Sequence, residues 1–252
     1  MPTPPDQPIP PVRKVGPTPR PKITKPTSLS DALKVGLERI NEAVKSALIG
    51  QLCAAGGTAN AADVTIVSKE LQKLPLGVLQ AFKNAGCKVV VCRKSVVDYK
   101  HDLRDVHPRG WAPGKTWNTV PGVYSPEKKE VIVAVIGYGT AAGPHYPRTG
   151  EGHGSASLLV HEMYHALDAA AQPAHSAAAD FTAARTADQA KLSAYERQAG
   201  EAGQQETYAE SAARFFSGDR HDATQHPHLH QYWESNALAP RDGSRAAPGG
   251  TR

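Results

Sequence analysis

The chain has 252 residues, of which 40% are hydrophobic, which is ordinary for a globular protein of one sizeable or two small domains. No run of about 18 apolar residues occurs, so the sequence predicts no membrane-spanning helix. The formal net charge of +5 lies in the tails, because residues 1–30 carry +4, residues 237–252 carry +2 and the body carries −1. A nucleic-acid-binding domain concentrates positive charge on its folded surface, so we expect no nucleic-acid partner. Three cysteines without a CxxC pair predict buried thiols rather than a disulfide framework or a cysteine zinc site.

Both ends of the chain have the composition of disordered segments. Ten of the 21 prolines lie within residues 1–26, and proline withholds a backbone donor and fixes φ. We therefore expect residues 1–27 to form a disordered, proline-rich basic arm, and residues 237–252 to form a disordered tail. The arm has no apolar core of the kind found in signal peptides, so we expect no Sec-type signal. Residues 28–236 are expected to fold as one domain.

The first half of this domain is predicted to mix helices and strands. Apolar residues recur every three or four positions from a cap near residue 28, which indicates an amphipathic helix to about residue 54. The β-branched run at 64–68 predicts a short strand, and residues 69–85 predict a helix that stops at Gly86. A second strand is predicted at 88–92.

The second half begins with a loop-rich stretch and ends in helices. Residues 122–137 have the pattern of a hairpin, with a turn at 125–129 and a β-branched strand at 131–136. A glycine-rich loop follows, and helices are then predicted at 155–170, 176–199 and 204–217. The histidine-rich segment at 220–235 is predicted to lie at the surface and to lead into a short final helix. The fold class is therefore α+β, with a small mixed sheet followed by a helical half.

The segment SASLLVHEMYHALDAA at 155–170 is nearly all apolar or small, yet it carries four ionisable groups. It contains H-E-x-x-H, which places His161 and His165 one turn apart on the same helical face. Two imidazoles placed in this way can converge on one metal ion, and zinc is the usual ion. Glu162 can then accept a proton from a water whose pKa the zinc lowers.

A catalytic zinc site needs a third protein ligand, because only the fourth position is left to water. The segment QQETYAESAARFF at 204–216 offers Glu206 and Glu210, which also lie one turn apart on an apolar helix. Either carboxylate is a candidate ligand on this spacing alone. Asp168 lies on the same face as the two histidines, and we expect it to accept a hydrogen bond from a ligand imidazole.

Together the two motifs resemble the anthrax-lethal-factor-like metallopeptidases, a family that includes the Pro-Pro endopeptidases and many predicted bacterial toxin domains. HEMYHALD is similar to the family helix H-E-x-x-H-A-x-D, and ETYAESAARF is similar to its later helix E-x-[FY]-A-E-[AS]. The resemblance covers roughly residues 85–217. It implies a zincin-like fold with a pair of active-site helices, preceded here by an N-terminal helical segment.

The resemblance also implies a role for each residue of a gluzincin site that holds one Zn²⁺ ion. His161, His165 and Glu206 correspond to the metal ligands, and Glu162 corresponds to the general base. Glu210 corresponds to an acid in the outer shell of the metal.

The residue that stabilises the oxyanion departs from the family pattern. The family has a tyrosine seven residues before the third ligand, and Ala199 occupies that position here. Tyr195, four residues earlier, is the catalytic candidate that we name for this role. Tyr138, His145 and His153 in the loop before the active-site helix are further candidates.

The resulting prediction is a zinc endopeptidase that hydrolyses a protein or peptide substrate. We expect the substrate backbone to bind as an additional strand alongside residues 131–136. We expect an exported bacterial toxin or effector, delivered by a secretion system that needs no signal peptide, with an immunity protein as a candidate partner. The alternatives are a cytosolic or self-processing metallopeptidase, and a catalytically degenerate zincin that acts as a binding module. The presence of Glu162 disfavours the degenerate zincin, because a purely structural metal site does not need that acid.

Overall fold

A computed structural model describes residues 28–107, 114, 116–219 and 221–236. The predicted arm at 1–27 and the predicted tail at 237–252 lie outside the described residues. The chain divides into two units, Met1–Arg39 and Ile40–Arg252, and the candidate site lies wholly in the second. Within the first unit, the described residues form the start of the first helix. The domain limits at residues 28 and 236 stay a prediction.

Helices and short strands alternate in the first half of the described chain, and helices make up the second half. The elements are α1 (Leu29–Leu52), β1 (Cys53–Ala55), α2 (Ala61–Leu71), α3 (Leu76–Asn84), β2 (Lys88–Arg93), β3 (Gly122–Ser125), β4 (Glu130–Val135), α4 (Leu158–Ala170), α5 (Ala179–Asp188), α6 (Gly200–Ser217), α7 (Asp222–Gln225) and α8 (Pro227–Asn236). The predicted α+β class with a small mixed sheet is confirmed. No helix in the described part of the chain is long and apolar enough to cross a bilayer.

The four strands form one sheet in the order β1-β2-β4-β3. Strands β1, β2 and β4 run parallel, and β3 pairs with β4 in the antiparallel direction. Because β4 is paired on both sides, it cannot accept a further strand. The expectation that a substrate adds alongside residues 131–136 is therefore wrong, and the edge beside the candidate site belongs to β3.

Alternate residues of the two central strands face opposite sides of the sheet, as the two-residue period of a strand requires. The main core lies on the face covered by the helices, and a smaller cluster lies on the other face. The residues facing the main core are Val89, Val91, Val131, Val133 and Val135. Those facing the smaller cluster are Val90, Cys92, Ile132 and Ala134. The three cysteines are buried free thiols, as predicted.

The strand predicted at 64–68 is wrong, because these residues lie inside helix α2. The side chain of Asn60 accepts hydrogen bonds from the backbone of Ala62 and Asp63, and the Asp63 carboxylate accepts one from the backbone of Asn60. This capping box starts a helix immediately before the β-branched run. A nucleated helix with a buried side takes precedence over the strand preference of single valines and isoleucines.

The predicted helix at 176–199 is only partly correct, since α5 ends at Asp188. The buried Asp188 carboxylate accepts hydrogen bonds from the backbone of His228 and Leu229, at 3.0 and 2.9 Å, in the first turn of α8. The end of α5 therefore caps the start of a later helix. The chain between α5 and α6 is left as a turn-rich loop, and this loop carries Tyr195.

The prediction for the histidine-rich segment is correct in its final helix, and the segment lies at the surface with His221 and His228 exposed, but one side of it is buried. Helix α8 buries Leu229, Tyr232 and Trp233, and His226 just before it is also buried. The aromatic rings of α8 pack against those of the helices before it. Trp233 lies 5.0 Å from Tyr164 on α4, measured between ring centroids.

The start of α4 lies directly against the edge strand β3 because Gly122 has no side chain. A Cβ at position 122 would lie 2.6 Å from Cδ1 of the buried Leu158, the first residue of α4. This close approach brings the H-E-x-x-H helix beside the strand edge. Helix α4 thus presents its ionisable face next to a strand with a free side.

We predict that Gly122→Ala lowers the free energy of unfolding by about 1–3 kcal/mol, because the added methyl group forces apart a packed helix and strand. Denaturant unfolding of the full chain measures this change. The matched control is Gly50→Ala in α1, where nothing lies within 4 Å of the added atom. Equal stability of the Gly122→Ala variant and wild type would contradict the close packing of α4 on β3.

Candidate metal centre

Helices α4 and α6 bring three potential ligand atoms together. Nε2 of His161 and Nε2 of His165 are 3.1 Å apart. Oε2 of Glu206, on α6, is 3.4 Å from the first nitrogen and 3.3 Å from the second. Within the described ranges, these residues form the one group of three or more acids, histidines or cysteines with metal-ligand spacing.

The three atoms fit a zinc ion by three criteria. A tetrahedral site with bonds of about 2.0–2.1 Å places neighbouring ligand atoms roughly 3.3 Å apart, close to the three observed separations. In addition, Oε2 of Glu206 is buried without a hydrogen-bond partner among the described residues. A buried carboxylate oxygen in this state is costly unless a cation or a donor meets it. Two imidazoles and one carboxylate are also a donor set typical of catalytic zinc.

The electrostatic surroundings keep Glu206 ionised. Burial alone raises the pKa of its carboxyl, but the close approach of the His161 and His165 imidazoles outweighs burial and holds the pKa well below its ordinary value. Burial lowers the pKa of the His161 imidazole. The carboxylates of Glu206 and Glu210 raise this pKa by more than burial lowers it, so it lies at about 10. The negative charge of the neighbouring carboxylates therefore favours a cation at the His161 position.

Glu210 contacts the far side of a candidate ligand. Its Oε2 lies 3.1 Å from Nδ1 of His161, and its Oε1 accepts a hydrogen bond from the backbone of Ala156 at 3.1 Å. A carboxylate on Nδ1 fixes the tautomer of a metal-ligating imidazole and leaves Nε2 free for the metal. Glu206 rather than Glu210 lies at the meeting point of the two Nε2 atoms, so the geometry favours Glu206 as the third ligand.

Asp168 is placed differently from the prediction. Its two carboxylate oxygens accept hydrogen bonds from the backbone and the hydroxyl of Ser176, both at 2.7 Å. Asp168 therefore holds the chain that leaves α4, and neither hydrogen bond goes to an imidazole. The expected contact with a ligand histidine is wrong because a serine eight residues later competes for the same oxygens.

Glu162 lies on the cleft side of α4 and is held by the edge strand. Its Oε2 accepts a hydrogen bond of 2.8 Å from the backbone N–H of Tyr124 in β3. The side chain borders the same cleft as His161 and His165. A carboxylate that is oriented by the strand and open to the cleft has the position required of a general base.

Tyr195 reaches the candidate site even though it lies eleven residues before Glu206. Its hydroxyl donates a hydrogen bond of 2.9 Å to Oε1 of Glu206, and the residue is 51% exposed. Partial burial and the Glu206 charge raise the pKa of its phenol, so the hydroxyl keeps its proton at neutral pH. Tyr195 is thus a neutral hydrogen-bond donor that borders the cleft.

The other candidates for the oxyanion role are less well placed. The Tyr138 hydroxyl bonds to the buried Asp63, and His145 bonds to Gly143 and Glu151. His153 borders the space around His161 and Glu162, and its Nε2 lies 3.4 Å from the carbonyl oxygen of Pro147. Burial lowers the pKa of His153, which favours its neutral form.

Two clefts meet at the ligand group. The strand cleft, of about 420 Å³, lies beside β3 and reaches Trp117, Pro126 and Gln205. The loop cleft, of about 700 Å³, lies beside Ser155, Lys191 and Gln225. His161, Glu162 and Tyr195 border both clefts. An extended molecule that fills both clefts would therefore pass directly over the ligand atoms.

The family described as "Anthrax toxin lethal factor, N- and C-terminal domain" matches residues 41–234. The chain belongs to the anthrax lethal factor family. This membership confirms the resemblance carried by the two helices, and the family of metallopeptidases implies a metal cofactor. The match includes α4, α6 and the loop between them.

A curated sequence and a solved structure, both from Paenibacillus alvei, show how far the similarity to known members extends. A Pro-Pro endopeptidase is 31% identical to the chain over 115 residues, which is 44% of the chain and 48% of that protein. The chain therefore spans about half the length of this relative. The solved structure of the Pro-Pro endopeptidase PPEP-2 superposes with a TM-score of 0.60 at 24% identity, covering 75% of the chain and 98% of the solved structure. This superposition confirms the zincin-like fold.

We predict that the purified chain binds one zinc ion and that Glu206→Gln weakens the affinity for zinc by more than tenfold. The amide removes the negative charge that completes the ligand group, while its volume stays almost the same. Metal content after dialysis and competition with a coloured chelator measure the affinity.

The matched control is Glu201→Gln, because Glu201 is an exposed acid in the first turn of the same helix. It should bind zinc as tightly as wild type. Equal zinc affinity of wild type and the Glu206→Gln variant would rule out Glu206 as a ligand.

Proposed function

We propose that the chain is a zinc-dependent endopeptidase that hydrolyses peptide bonds of a protein substrate. The observation that carries the proposal is the meeting of His161, His165 and Glu206 at the junction of two clefts. Glu162 lies beside this group with its carboxylate oriented by a backbone N–H. A metal site with only a structural role is normally closed by four protein ligands, whereas this group has three and borders open space.

In the proposed reaction, Glu162 accepts the proton of the attacking water and later delivers it to the leaving amine. The hydrogen bond from the Tyr124 backbone holds one carboxylate oxygen, so the other oxygen is left to take the proton. Zinc, when bound, polarises the peptide carbonyl and lowers the pKa of water. Glu210 keeps the His161 imidazole in the orientation that ligation needs.

Tyr195 stabilises the negative charge that develops on the substrate carbonyl oxygen. Its neutral hydroxyl is a single directed donor, and it borders both clefts next to the ligand group. The bond to Oε1 of Glu206 holds the hydroxyl near the metal before substrate arrives. The phenol has one proton to donate, so during the reaction the hydroxyl exchanges its bond with Glu206 for a bond with the oxyanion nearby.

The backbone edge of β3 is the surface that we propose for an extended substrate. Val123 pairs with Ile132, whereas the N–H of Tyr124 points away from β4 towards Glu162. By the two-residue period of a strand, the backbone of Gly122 faces the same open side. Glu162 takes the Tyr124 N–H, so a peptide would add to β3 through the other backbone groups of this side, such as the Tyr124 carbonyl, and pass between the two clefts.

The similarities to known proteins also favour a choice of first substrates and a biological role. One relative is named a Pro-Pro endopeptidase, so peptides with adjacent prolines are the first probes to use. The family description names a toxin, and this favours an exported toxin or effector. An immunity protein is the partner that we propose for such a toxin. A cytosolic or self-processing peptidase is the alternative, and it uses the same site.

We predict that Glu162→Gln lowers the rate of peptide hydrolysis by about 10²–10⁴-fold, because the amide cannot accept the proton of the attacking water. Zinc content should stay at the wild-type level, since Glu162 is not among the three ligand residues. Cleavage of a peptide library by the two proteins, analysed by mass spectrometry, measures the effect.

Glu234→Gln in α8 is the control for the loss of one acid, and it should cleave at the wild-type rate. Glu162 is not the base if the Glu162→Gln variant, loaded with zinc, cleaves as fast as wild type. If the zinc-loaded wild-type protein cleaves no peptide, the proposed function itself is wrong.

We further predict that Tyr195→Phe lowers kcat by about 10²–10³-fold, which is the usual cost of removing one oxyanion donor. KM should change little, because the hydroxyl acts mainly on the charge that develops during the reaction. Steady-state kinetics on the best peptide separates the two parameters. A change confined to KM would show that Tyr195 binds the substrate and does not stabilise the oxyanion.

A further inference from the structure

Arg214 is a buried arginine on α6, two turns after Glu206. It is 8% exposed and faces three carboxylates. Nη2 lies 2.9 Å from Glu196, Nε lies 3.1 Å from Asp222 and Nη1 lies 3.9 Å from Glu210. The desolvation penalty of burying an ion pair often exceeds the attraction between its charges, and an apolar residue in its place is often as stable. This arrangement therefore calls for an explanation other than stability.

The shortest of these contacts leads to Tyr195 through its neighbour in the chain. Glu196 directly follows Tyr195, and Arg214 holds Oε1 of its carboxylate. The other oxygen, Oε2, accepts hydrogen bonds from the backbone and the hydroxyl of Ser193, at 3.1 and 2.8 Å. One buried carboxylate thus links Arg214 to the residues on both sides of Tyr195.

The backbone of the same loop is held by independent contacts. The carbonyl oxygen of Glu196 accepts hydrogen bonds from Nη2 of Arg185 at 2.7 Å and from the hydroxyl of Thr207 at 3.1 Å. Gly203 allows the loop to lie against the first turns of α6, because a Cβ there would be 1.9 Å from the carbonyl oxygen of Gln198. The loop is therefore already attached to α6, and the Arg214 contact adds control over the direction of its side chains.

We propose that Arg214 is a positioning residue that fixes the Tyr195 hydroxyl beside Glu206 by holding the Glu196 carboxylate. This inference rests on the proposed function, because it explains how Tyr195, the proposed oxyanion donor, is held in position. The planar guanidinium holds Glu196 through Nη2 and Asp222 through Nε, so its orientation is fixed by two elements. Asp222 in turn accepts hydrogen bonds from His226 and His230, which connects the loop to the start of α8.

The test compares Arg214→Met and Arg214→Lys with wild type, each in the full chain loaded with zinc. Arg214→Met should lower kcat by up to about 100-fold, the cost of a misplacement of roughly 1 Å, with KM nearly unchanged. Arg214→Lys should recover part of the loss, because an ammonium can pair with Glu196 but cannot reproduce the guanidinium fork. Zinc content should equal that of wild type in both variants.

A double-mutant cycle distinguishes positioning from general destabilisation. In the Tyr195→Phe background, Arg214→Met should cost less than about threefold, because the hydroxyl that it positions is already absent. Arg93→Met is the matched control, since Arg93 pairs with the buried Asp63 at 2.8 Å outside the two clefts. That variant should lower kcat by less than about threefold in either background.

Hydrogen–deuterium exchange provides a readout that does not depend on hydrolysis. The amide of Ser193, which donates to the Glu196 carboxylate, should exchange at least about tenfold faster in the Arg214→Met variant, while those of α4 keep the wild-type rate. An equal kcat loss in both backgrounds, or unchanged exchange in the loop, would overturn the proposal. If the wild-type protein hydrolyses no peptide, the proposed function fails, and the exchange result still decides whether Arg214 holds the loop.

Discussion

The packing of α4 against α6 is the contact on which the candidate site depends, because the ligand atoms come from both helices. His165 and Glu206 are 41 residues apart in the chain, and no local interaction can bring them together. A layer of aromatic rings fixes how the two helices meet. Tyr164 on α4 lies 5.7 Å from Tyr208 on α6, and Trp233 of α8 lies 5.0 Å from the first ring and 5.1 Å from the second. These rings lock the rotation of both helices, so the imidazoles face the carboxylates across the contact.

The site residues that could be predicted from the sequence are those whose spacing along a helix places them on the same face. Residues at i and i+4 share a helical face, so the histidine pair on α4 and the glutamate pair on α6 can be identified from the sequence alone. The family resemblance then ranks Glu206 before Glu210. The structure adds the reason, since Glu206 meets the Nε2 atoms while Glu210 meets Nδ1 of His161.

The parts that could not be predicted depend on contacts distant in the chain or on competition between local signals. At 64–68 the strand preference of valine and isoleucine gives way to a capping box at Asn60, a local signal that the sequence also contains. The oxygens of Asp168 are taken by Ser176, and no periodicity reveals such a partner. The helix predicted to residue 199 ends at Asp188, and the loop that replaces it brings Tyr195 to the site. Sequence reasoning missed Arg214, although an arginine between apolar residues, one turn after Glu210, is a readable signal of a buried ion pair.

The distribution of charge leaves the three candidate ligand residues without a direct ion pair to Arg214. Arg214 lies close to two carboxylates, Glu196 and Asp222, and reaches Glu210 only at 3.9 Å. Among the charged side chains described around Glu206, the two imidazoles are therefore the nearest source of positive charge. A divalent cation supplies the charge that the buried Oε2 atom of Glu206 lacks, because no arginine or lysine forms an ion pair with it within the described residues. Arg214 is thus left to pair with Glu196 and Asp222, and a metal ion would complete the electrostatics of the helix pair.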